Sequence, residues 1–195
     1  LTDTTGAGES GFIPAMLDQP RHNCDGVGGM HVYMPWWLDN KKLDFPRGYH
    51  IEVWGGMGVP GHGVGGGMHR LPPGGGYGAS FKNDVRHYFG TTIGFDGRGE
   101  MIPNDDSFCE LDPTVKDKWG IPVLRFHWKW SDHETRQAAH MQRTFADLIT
   151  AMGGKPDPLA ADGARAIEAG GRIIHEVGGT IMGSDPKKSV TNPWC

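Results

Sequence analysis

The residues of this chain best suited to chemistry lie in its last segment, residues 173–195. There His175 is followed by the small residues Gly178 and Gly179, which allow a ligand to approach the backbone closely. An imidazole with the ordinary pKa of about 6.5 is largely neutral at pH 7 and can accept a proton from a hydroxyl group. The segment therefore predicts a histidine held against a flat ligand. The alternative is a tight turn in which the histidine is incidental.

A second candidate set lies on a strand predicted over residues 47–54. Apolar and polar residues alternate there, so one face of the strand is apolar and the other carries His50, Glu52 and Trp54. Aromatic faces stack on sugar rings, while carboxylate and imidazole groups form hydrogen bonds with sugar hydroxyls. These three residues therefore predict a sugar-binding wall. The alternative is an ordinary solvated face of a sheet.

The elements that must position these residues are several strands followed by helices. A helix over 131–152 is predicted from a capping box at Ser131 and Glu134, helical apolar spacing and a stop at Gly153. This order predicts an α+β fold, with a mostly antiparallel sheet covered by helices. Phe126, Trp128 and Trp130 are expected to pack in its core. The remaining predicted elements are strands at 85–95, 107–111 (ending at Asp112-Pro113) and 123–130, and a short helix at 159–169.

Glycine-rich stretches interrupt this pattern at two places. Residues 1–30 predict an irregular linker, and residues 55–78 predict a long glycine-rich loop. The stretch from Gly61 to Gly66 matches the spacing G-x-G-x-x-G of nucleotide-binding turns. More glycines and then Pro72-Pro73 follow, so no helix can begin there, and we interpret the match as chance composition.

Composition excludes several classes of protein. The formal charge of −4 supplies no basic field for nucleic acid. No apolar run approaches the roughly 20 residues that span a bilayer. The three cysteines are far apart, which favours neither a disulfide framework nor a zinc ribbon.

The ten histidines predict no metal site by their spacing. His175-Glu176 lacks a second ligand at Gly179, and no carboxylate or cysteine completes a set with His133 and His140. A zinc hydrolase is therefore disfavoured. The start at Leu1, the absence of a signal peptide and the abrupt end at Cys195 lead us to expect a piece of a longer chain.

The last segment resembles the glucose–methanol–choline (GMC) flavin oxidoreductase family. That family carries a His-x-x-Gly-Gly/Thr-x-x-Met-Gly stretch, then Asp-Pro, then an element similar to Ser-Val-Asn. The residues that fit in order are His175, Gly178, Gly179, Thr180, Met182, Gly183, Asp185, Pro186, Ser189, Val190 and Asn192. Residues 97–100, 111–113 and 119–123 also look like the substrate domain of the sugar-oxidising branch.

The resemblance implies a fragment of a two-domain flavoprotein. Residues 1–30 would be the linker leaving the flavin-binding part, residues 31–170 the substrate-binding domain, and residues 171–195 a catalytic segment returning to the flavin domain. FAD would be held by the remaining polypeptide, with Gly178 and Asn192 close to the flavin. A second catalytic His or Asn would lie beyond Cys195, so the fragment alone would be inactive.

The resemblance further implies a dehydrogenase that oxidises a sugar or glycoside hydroxyl, in one group at C3 of glucosides. His175 would take the hydroxyl proton while a hydride passes to the flavin, and a cytochrome c or another acceptor would take the electrons. Gluconate-type, fructose-type or other alcohol dehydrogenases and oxidases of the family are the rival assignments. A non-catalytic carbohydrate-binding module is the alternative from another class. A periplasmic location is expected from the family, with any export signal upstream of Leu1.

Overall fold

The computed structural model describes residues 4–18, 30–33, 43–55, 78–88, 90–159, 167–170, 172, 175 and 177–195. None of the helices in these residues is long and apolar enough to cross a membrane. The strands and helices, in chain order, are β1 (Thr4–Phe12), β2 (Met30–Tyr33), β3 (Tyr49–Gly55), α1 (Ala79–Tyr88), β4 (Thr92–Glu100), β5 (Phe108–Lys116), β6 (Pro122–His127), α2 (Asp132–Ala151) and β7 (Lys155–Pro156).

Five of these strands form one antiparallel sheet in the order β2-β3-β4-β1-β7. On β3, Tyr49 and Ile51 are buried, whereas the intervening His50 lies on the other face, as the period of two requires. On β4, Phe95 is buried on the same side as Ile51. The α+β class and the mostly antiparallel sheet predicted from the sequence are confirmed.

The apolar face of this sheet is covered by α2, as the sequence predicts. Ser131 caps the helix by accepting a hydrogen bond from the amide of His133, and Glu134 completes the capping box by accepting one from the amide of Ser131. Gly153, with φ of 75°, follows the end of the helix. The buried residues that α2 contributes to the core are Ala138, Met141, Phe145 and Ile149.

A close approach of α2 to β4 requires a small residue on the strand. A Cβ atom at Gly97 would lie 2.6 Å from Sδ of Met141 and 3.0 Å from the Phe145 ring. The Phe145 ring in turn stacks on Phe95, with ring centroids 5.7 Å apart. Glycine on β4 therefore sets the distance between helix and sheet.

The irregular conformation predicted for residues 1–30 is wrong at Thr4–Phe12, because β1 pairs with β4 along its whole length. Ala7 and Glu9 of β1 are buried. A Cβ atom at Gly11 would collide with Ile149 of α2. Gly8 and Gly11 of this strand are thus packing residues at close contacts, which local composition does not reveal.

The strand predicted over residues 85–95 is also wrong in its first half, because α1 runs to Tyr88. Phe81, Val85 and Tyr88 recur at helical spacing and are half-buried. Only the part from Thr92 onward is strand. The helix stops before Gly90, whose φ is 72°.

A separate hairpin of β5 and β6 agrees with the sequence in place but not in packing. The strand predicted over 123–130 is observed as β6 but ends at His127, while β5 continues past Asp112 to Lys116 through a shift in register. Phe126, expected in the core, is 61% exposed. Trp128 and Trp130, also expected in the core, are only half-buried and pack on each other, with ring centroids 4.2 Å apart.

The chain returns to the sheet before the last segment. Ile167 bridges to Ala7 of β1, and the carbonyl of Glu168 accepts a hydrogen bond from the Trp130 indole at 2.7 Å. The predicted loop 55–78 and its G-x-G-x-x-G stretch lie, apart from the ends of the loop, outside the described residues. The helix predicted over 159–169 is wrong at its described end, where Ile167 forms a β-bridge, and its middle lies outside the described residues.

Candidate functional site

A cavity of about 620 Å³ opens on the face of the sheet that α2 does not cover. His50 and Glu52 reach it from β3, and His175 reaches it from the last segment of the chain. The structure thus brings together three residues that the sequence proposed in two separate sets. An adjoining cavity of about 400 Å³ shares Arg47, His50 and Arg98 with it.

The register of three neighbouring strands places the polar groups of the cavity side by side. His31 of β2 lies directly opposite Glu52 of β3, and His50 lies directly opposite Arg98 of β4. Residues opposite each other in adjacent strands, and residues two apart on one strand, share a face. The polar face predicted from His50 and Glu52 alone is therefore extended by its neighbours.

Two ion pairs hold the carboxylates of this face. Nε and Nη2 of Arg98 lie 3.5 Å from Oε1 and Oε2 of Glu52, so the guanidinium faces both carboxylate oxygens. Nε of Arg47 lies 3.5 Å from Oε2 of Glu100 at the rim. The arginines and glutamates that line the cavity thus occur as pairs of opposite charge.

His50 is neutral at pH 7 in this setting. Burial lowers the pKa of His50, and although the Glu52 carboxylate opposes this effect, the nearby His31 reinforces it. The rings of His31 and His50 are 5.2 Å apart. A neutral imidazole offers one N–H donor and one acceptor nitrogen, which suits a ligand rich in hydroxyl groups.

Side chains of α2 fix the loops at the edge of the cavity from the opposite face of the sheet. Oε1 of Glu134 accepts a hydrogen bond from the amide of Ile102 at 2.9 Å. Nε2 of Gln137 donates to the carbonyls of Arg47 and Gly48 at 3.3 and 3.2 Å. Both α2 side chains are buried, so the backbone beside the cavity is anchored in the core.

The other predicted site residues lie elsewhere. Trp54 belongs to β3 and pairs with Gly94; the structure describes its backbone but not its side chain. Gly178 is exposed with φ of 80°, and Oδ1 of Asn192 accepts a hydrogen bond from the amide of Trp194 at 2.8 Å. Neither residue is among those that line the cavity.

The two helix histidines have structural surroundings, as the sequence favoured. His133 is buried, with Nε2 3.3 Å from the carbonyl oxygen of Glu100. Nδ1 of His140 lies 2.8 Å from the Tyr49 hydroxyl. Burial raises the pKa of Tyr49 above its ordinary value, so this hydroxyl stays protonated at all physiological pH.

Sequence reasoning did not propose three basic residues of the cavity wall as site residues: His31, Arg47 and Arg98. Arg98 had a usable signal, because Phe95, Gly97 and Gly99 alternate inward on β4 and leave position 98 on the outer face. His31 lies in a strand of only four residues, too short to show a period. Arg47 precedes β3 and is placed by tertiary contacts.

Comparison with known proteins identifies the second half of the chain. Residues 103–195 match the family model GMC_oxred_C, described as GMC oxidoreductase. This part of the chain belongs to the GMC oxidoreductase family. It includes the β5–β6 hairpin, α2 and the His175 segment, so the family assignment covers one wall of the cavity.

Similar curated proteins carry dehydrogenase names. The chain is 30% identical over 124 residues to a gluconate 2-dehydrogenase flavoprotein of Pantoea cypripedii. It is 25% identical over 117 residues to the large subunit of a fructose dehydrogenase of Gluconobacter japonicus, and 25% identical over 125 residues to a 2-methyl-1,2-propanediol dehydrogenase of Mycolicibacterium austroafricanum. Each match covers 60% of this chain, which spans about 20% of the length of the relative.

Proposed function

We propose that this chain is the substrate-binding part of an FAD-dependent dehydrogenase that oxidises a sugar or glycoside hydroxyl. The observation that carries the proposal is the cavity shared by His175, His50 and Glu52, in a chain whose residues 103–195 belong to the GMC family. A base from the last segment facing a polar wall on the sheet is an arrangement suited to oxidation of a polyhydroxylated molecule.

In the proposed reaction, His175 accepts the proton of the substrate hydroxyl at a ring nitrogen. The C–H bond of the same carbon breaks with its electron pair, and a carbonyl forms. FAD, when bound, supplies the acceptor for that hydride. His175 is exposed at the cavity, so a substrate can reach its imidazole without rearrangement of the core.

Two features of the last segment support the proposal that it lies beside a flat cofactor ring. The backbone of the segment is accessible at the exposed Gly178, where no side chain covers it, and several of its apolar side chains are exposed. Apolar surface of this kind is suited to cover an aromatic ring system. The exposed apolar residues are Val177, Ile181, Met182 and Val190. The remaining polypeptide would hold the rest of FAD, and a cytochrome c or another acceptor would receive the electrons.

The polar wall supports a hydroxyl-rich substrate. Glu52 can accept hydrogen bonds from hydroxyl groups, neutral His50 can donate or accept, and Arg98 can donate. Because Arg98 faces Glu52 and Arg47 faces Glu100, the fixed charges balance. Two relatives whose names refer to gluconate and fructose support a sugar or sugar acid, and the diol dehydrogenase leaves a smaller alcohol as the rival substrate.

The proposal is tested on the complete polypeptide that contains this chain. We expect a yellow protein with flavin absorbance that oxidises one or more members of a panel of sugars, glycosides, sugar acids and diols with an artificial electron acceptor. A protein that binds sugars but carries no flavin and oxidises none would support the carbohydrate-binding module and contradict the proposal. Oxidation of diols alone would assign the enzyme to a different substrate class.

A further inference from the structure

We propose that His31, His50 and Glu52 form a binding site for a divalent transition-metal ion of the zinc type. The sequence predicted no metal site, because its histidines show no ligand spacing along the chain. The fold assembles the set instead from β2 and β3, which are separated in sequence and paired in the sheet. Two imidazoles and one carboxylate are a recurrent set of ligands for zinc and other first-row divalent ions.

The distances are close to those of a coordinated ion. Nε2 of His50 lies 3.7 Å, and Nδ1 of His31 lies 4.0 Å, from Oε1 of Glu52. One ligand atom from each of the three residues lies within 4.8 Å of the others. Metal–ligand bonds of about 2.0–2.1 Å in a tetrahedral site separate ligand atoms by roughly 3.3 Å, so small side-chain rotations close the set.

The three ligand residues lie on paired strands, and the site is open on the side of the cavity. His50 and Glu52 are two residues apart on β3, with side chains only 27% and 18% exposed. His31 is held opposite Glu52 by strand pairing. All three residues line the cavity. The coordination positions of the ion that no side chain fills would therefore face water or a ligand in the cavity.

Arg98 influences this site in two opposite ways. Its guanidinium faces both oxygens of Glu52 at 3.5 Å, so it orients the carboxylate as hydrogen-bonding groups around metal ligands commonly do. Its positive charge also repels a divalent ion. We therefore expect a moderate affinity for the ion, with exchange on dilution, rather than a permanently bound structural metal.

Two histidine–carboxylate pairs serve as matched comparisons, because neither has a third ligand among the described residues. Nε2 of His127 lies 2.9 Å from Oε1 of Glu110, and Nδ1 of His87 lies 2.7 Å from Oδ2 of Asp18. Neither pair belongs to a set of three ligand atoms in the described part of the chain. These pairs are controls: they measure how strongly a histidine beside a carboxylate binds the ion when no third ligand is present.

The proposal holds whichever reaction the protein catalyses, because it concerns binding alone. Since the same cavity is the proposed sugar site, an ion there would compete with the substrate; only this consequence rests on the proposed function. The binding test below uses no turnover, so failure of one proposal leaves the other standing.

The test is titration of the full chain with Co²⁺, read from its visible ligand-field spectrum, and with Zn²⁺ by calorimetry. The variants are His31→Gln, His50→Gln and Glu52→Gln, with His127→Gln as the matched control. Far-UV circular dichroism confirms the fold of each. We expect each site variant to weaken binding at least about tenfold, and His127→Gln to bind like the wild type.

Two results would overturn the proposal. One is wild-type affinity for Co²⁺ and Zn²⁺ in His31→Gln, which replaces a half-exposed side chain on an edge strand and leaves the core intact. The other is no binding of either ion by the wild-type chain at concentrations up to about 1 mM, the weak limit of specific sites. If His50→Gln does not fold, His31→Gln alone decides the outcome.

Discussion

Glu134 is a single residue that links the start of α2 to the wall of the site. It is 1% exposed and accepts hydrogen bonds from the amides of Ser131 at 2.7 Å and Ile102 at 2.9 Å. Burial would raise the pKa of its carboxyl group, but the hydrogen bonds from Ser131 and Ile102 outweigh burial and hold the pKa below its ordinary value. The ionised form therefore stabilises the fold.

Replacement of Glu134 by Ala is expected to lower the free energy of unfolding by about 1–3 kcal/mol at pH 7, because the amides of Ser131 and Ile102 lose their part-buried charged acceptor. The folded pKa is depressed, so this contribution is complete above the ordinary value of 4.5 and is lost as pH falls below it. Urea denaturation from pH 7 to pH 3 should show the difference between wild type and variant shrinking. Asp147→Ala, at an exposed position of α2, is the control; a constant difference across this pH range would contradict the account.

Glu52 is expected to act in binding the substrate and not in proton transfer. Glu52→Gln in the complete flavoprotein should raise the dissociation constant of the preferred sugar about 10- to 100-fold, because a charged acceptor of hydroxyl hydrogen bonds becomes neutral. The limiting rate of flavin reduction should change little. Rapid-mixing measurements over a range of sugar concentrations separate the two quantities, with Glu110→Gln as control. An unchanged dissociation constant would show that Glu52 does not contribute to substrate binding.

At the scale of elements, the contact between α2 and β4 depends on glycine. Gly97→Ala places a methyl group 2.6 Å from Sδ of Met141 and should cost about 1–3 kcal/mol of unfolding free energy. The cost should fall in a chain that already carries Met141→Ala, because the two sites share one volume. Urea denaturation of the four chains of this double-mutant cycle measures the coupling. If the effects of Gly97→Ala and Met141→Ala on the free energy of unfolding are strictly additive, the close approach of α2 to β4 is not the reason for glycine at position 97.

The elements that could be predicted from sequence are those with local signals. The capping box at Ser131 and Glu134, with the helical spacing after it, located α2 nearly to the residue. The alternation around Ile51 located β3. β1 could not be recognised, because its glycines are explained only by the helix and strand that pack on them.

The candidate site was predictable in part for the same reason. Two local patterns, His50 with Glu52 and His175 with its glycines, named residues that share a cavity. Their proximity depends on the chain returning past β1, and the contributions of His31 and Arg98 depend on strand register. Tertiary pairing of this kind has no signature in a single sequence.

At the scale of the whole molecule, the β5–β6 hairpin exposes an apolar face. Cys109 lies opposite Phe126 and Leu111 opposite Leu124, so the four side chains share one face. Leu111, Leu124 and Phe126 are 63%, 56% and 61% exposed. A two-stranded ribbon with such a face gains stability only when another surface covers it. Under the proposed function, we expect that surface to belong to the remaining polypeptide of the proposed flavoprotein.

The substitution Leu124→Asp tests whether the apolar face of the hairpin is covered by protein or exposed to solvent. In this chain alone, the exposed substitution should change the free energy of unfolding by no more than about 0.5 kcal/mol. In the complete flavoprotein it should cost about 2 kcal/mol or more, because an unpaired charge becomes buried. Thermal unfolding of both proteins measures this, with Arg125→Ser on the opposite hairpin face as control. Equal stability of the complete wild-type and Leu124→Asp proteins would show that the face meets solvent.

The most direct test of the proposed function is the rate at which substrate bleaches the flavin of the complete enzyme under anaerobic rapid mixing. His175→Ala should retain FAD with a normal absorbance spectrum and reduce it about 10²- to 10⁴-fold more slowly, the range that a positioned base contributes. His127→Ala, which removes a histidine of the hairpin, should match the wild type. Bleaching of the His175→Ala enzyme at a rate close to that of the wild type would contradict the central assignment of this cavity.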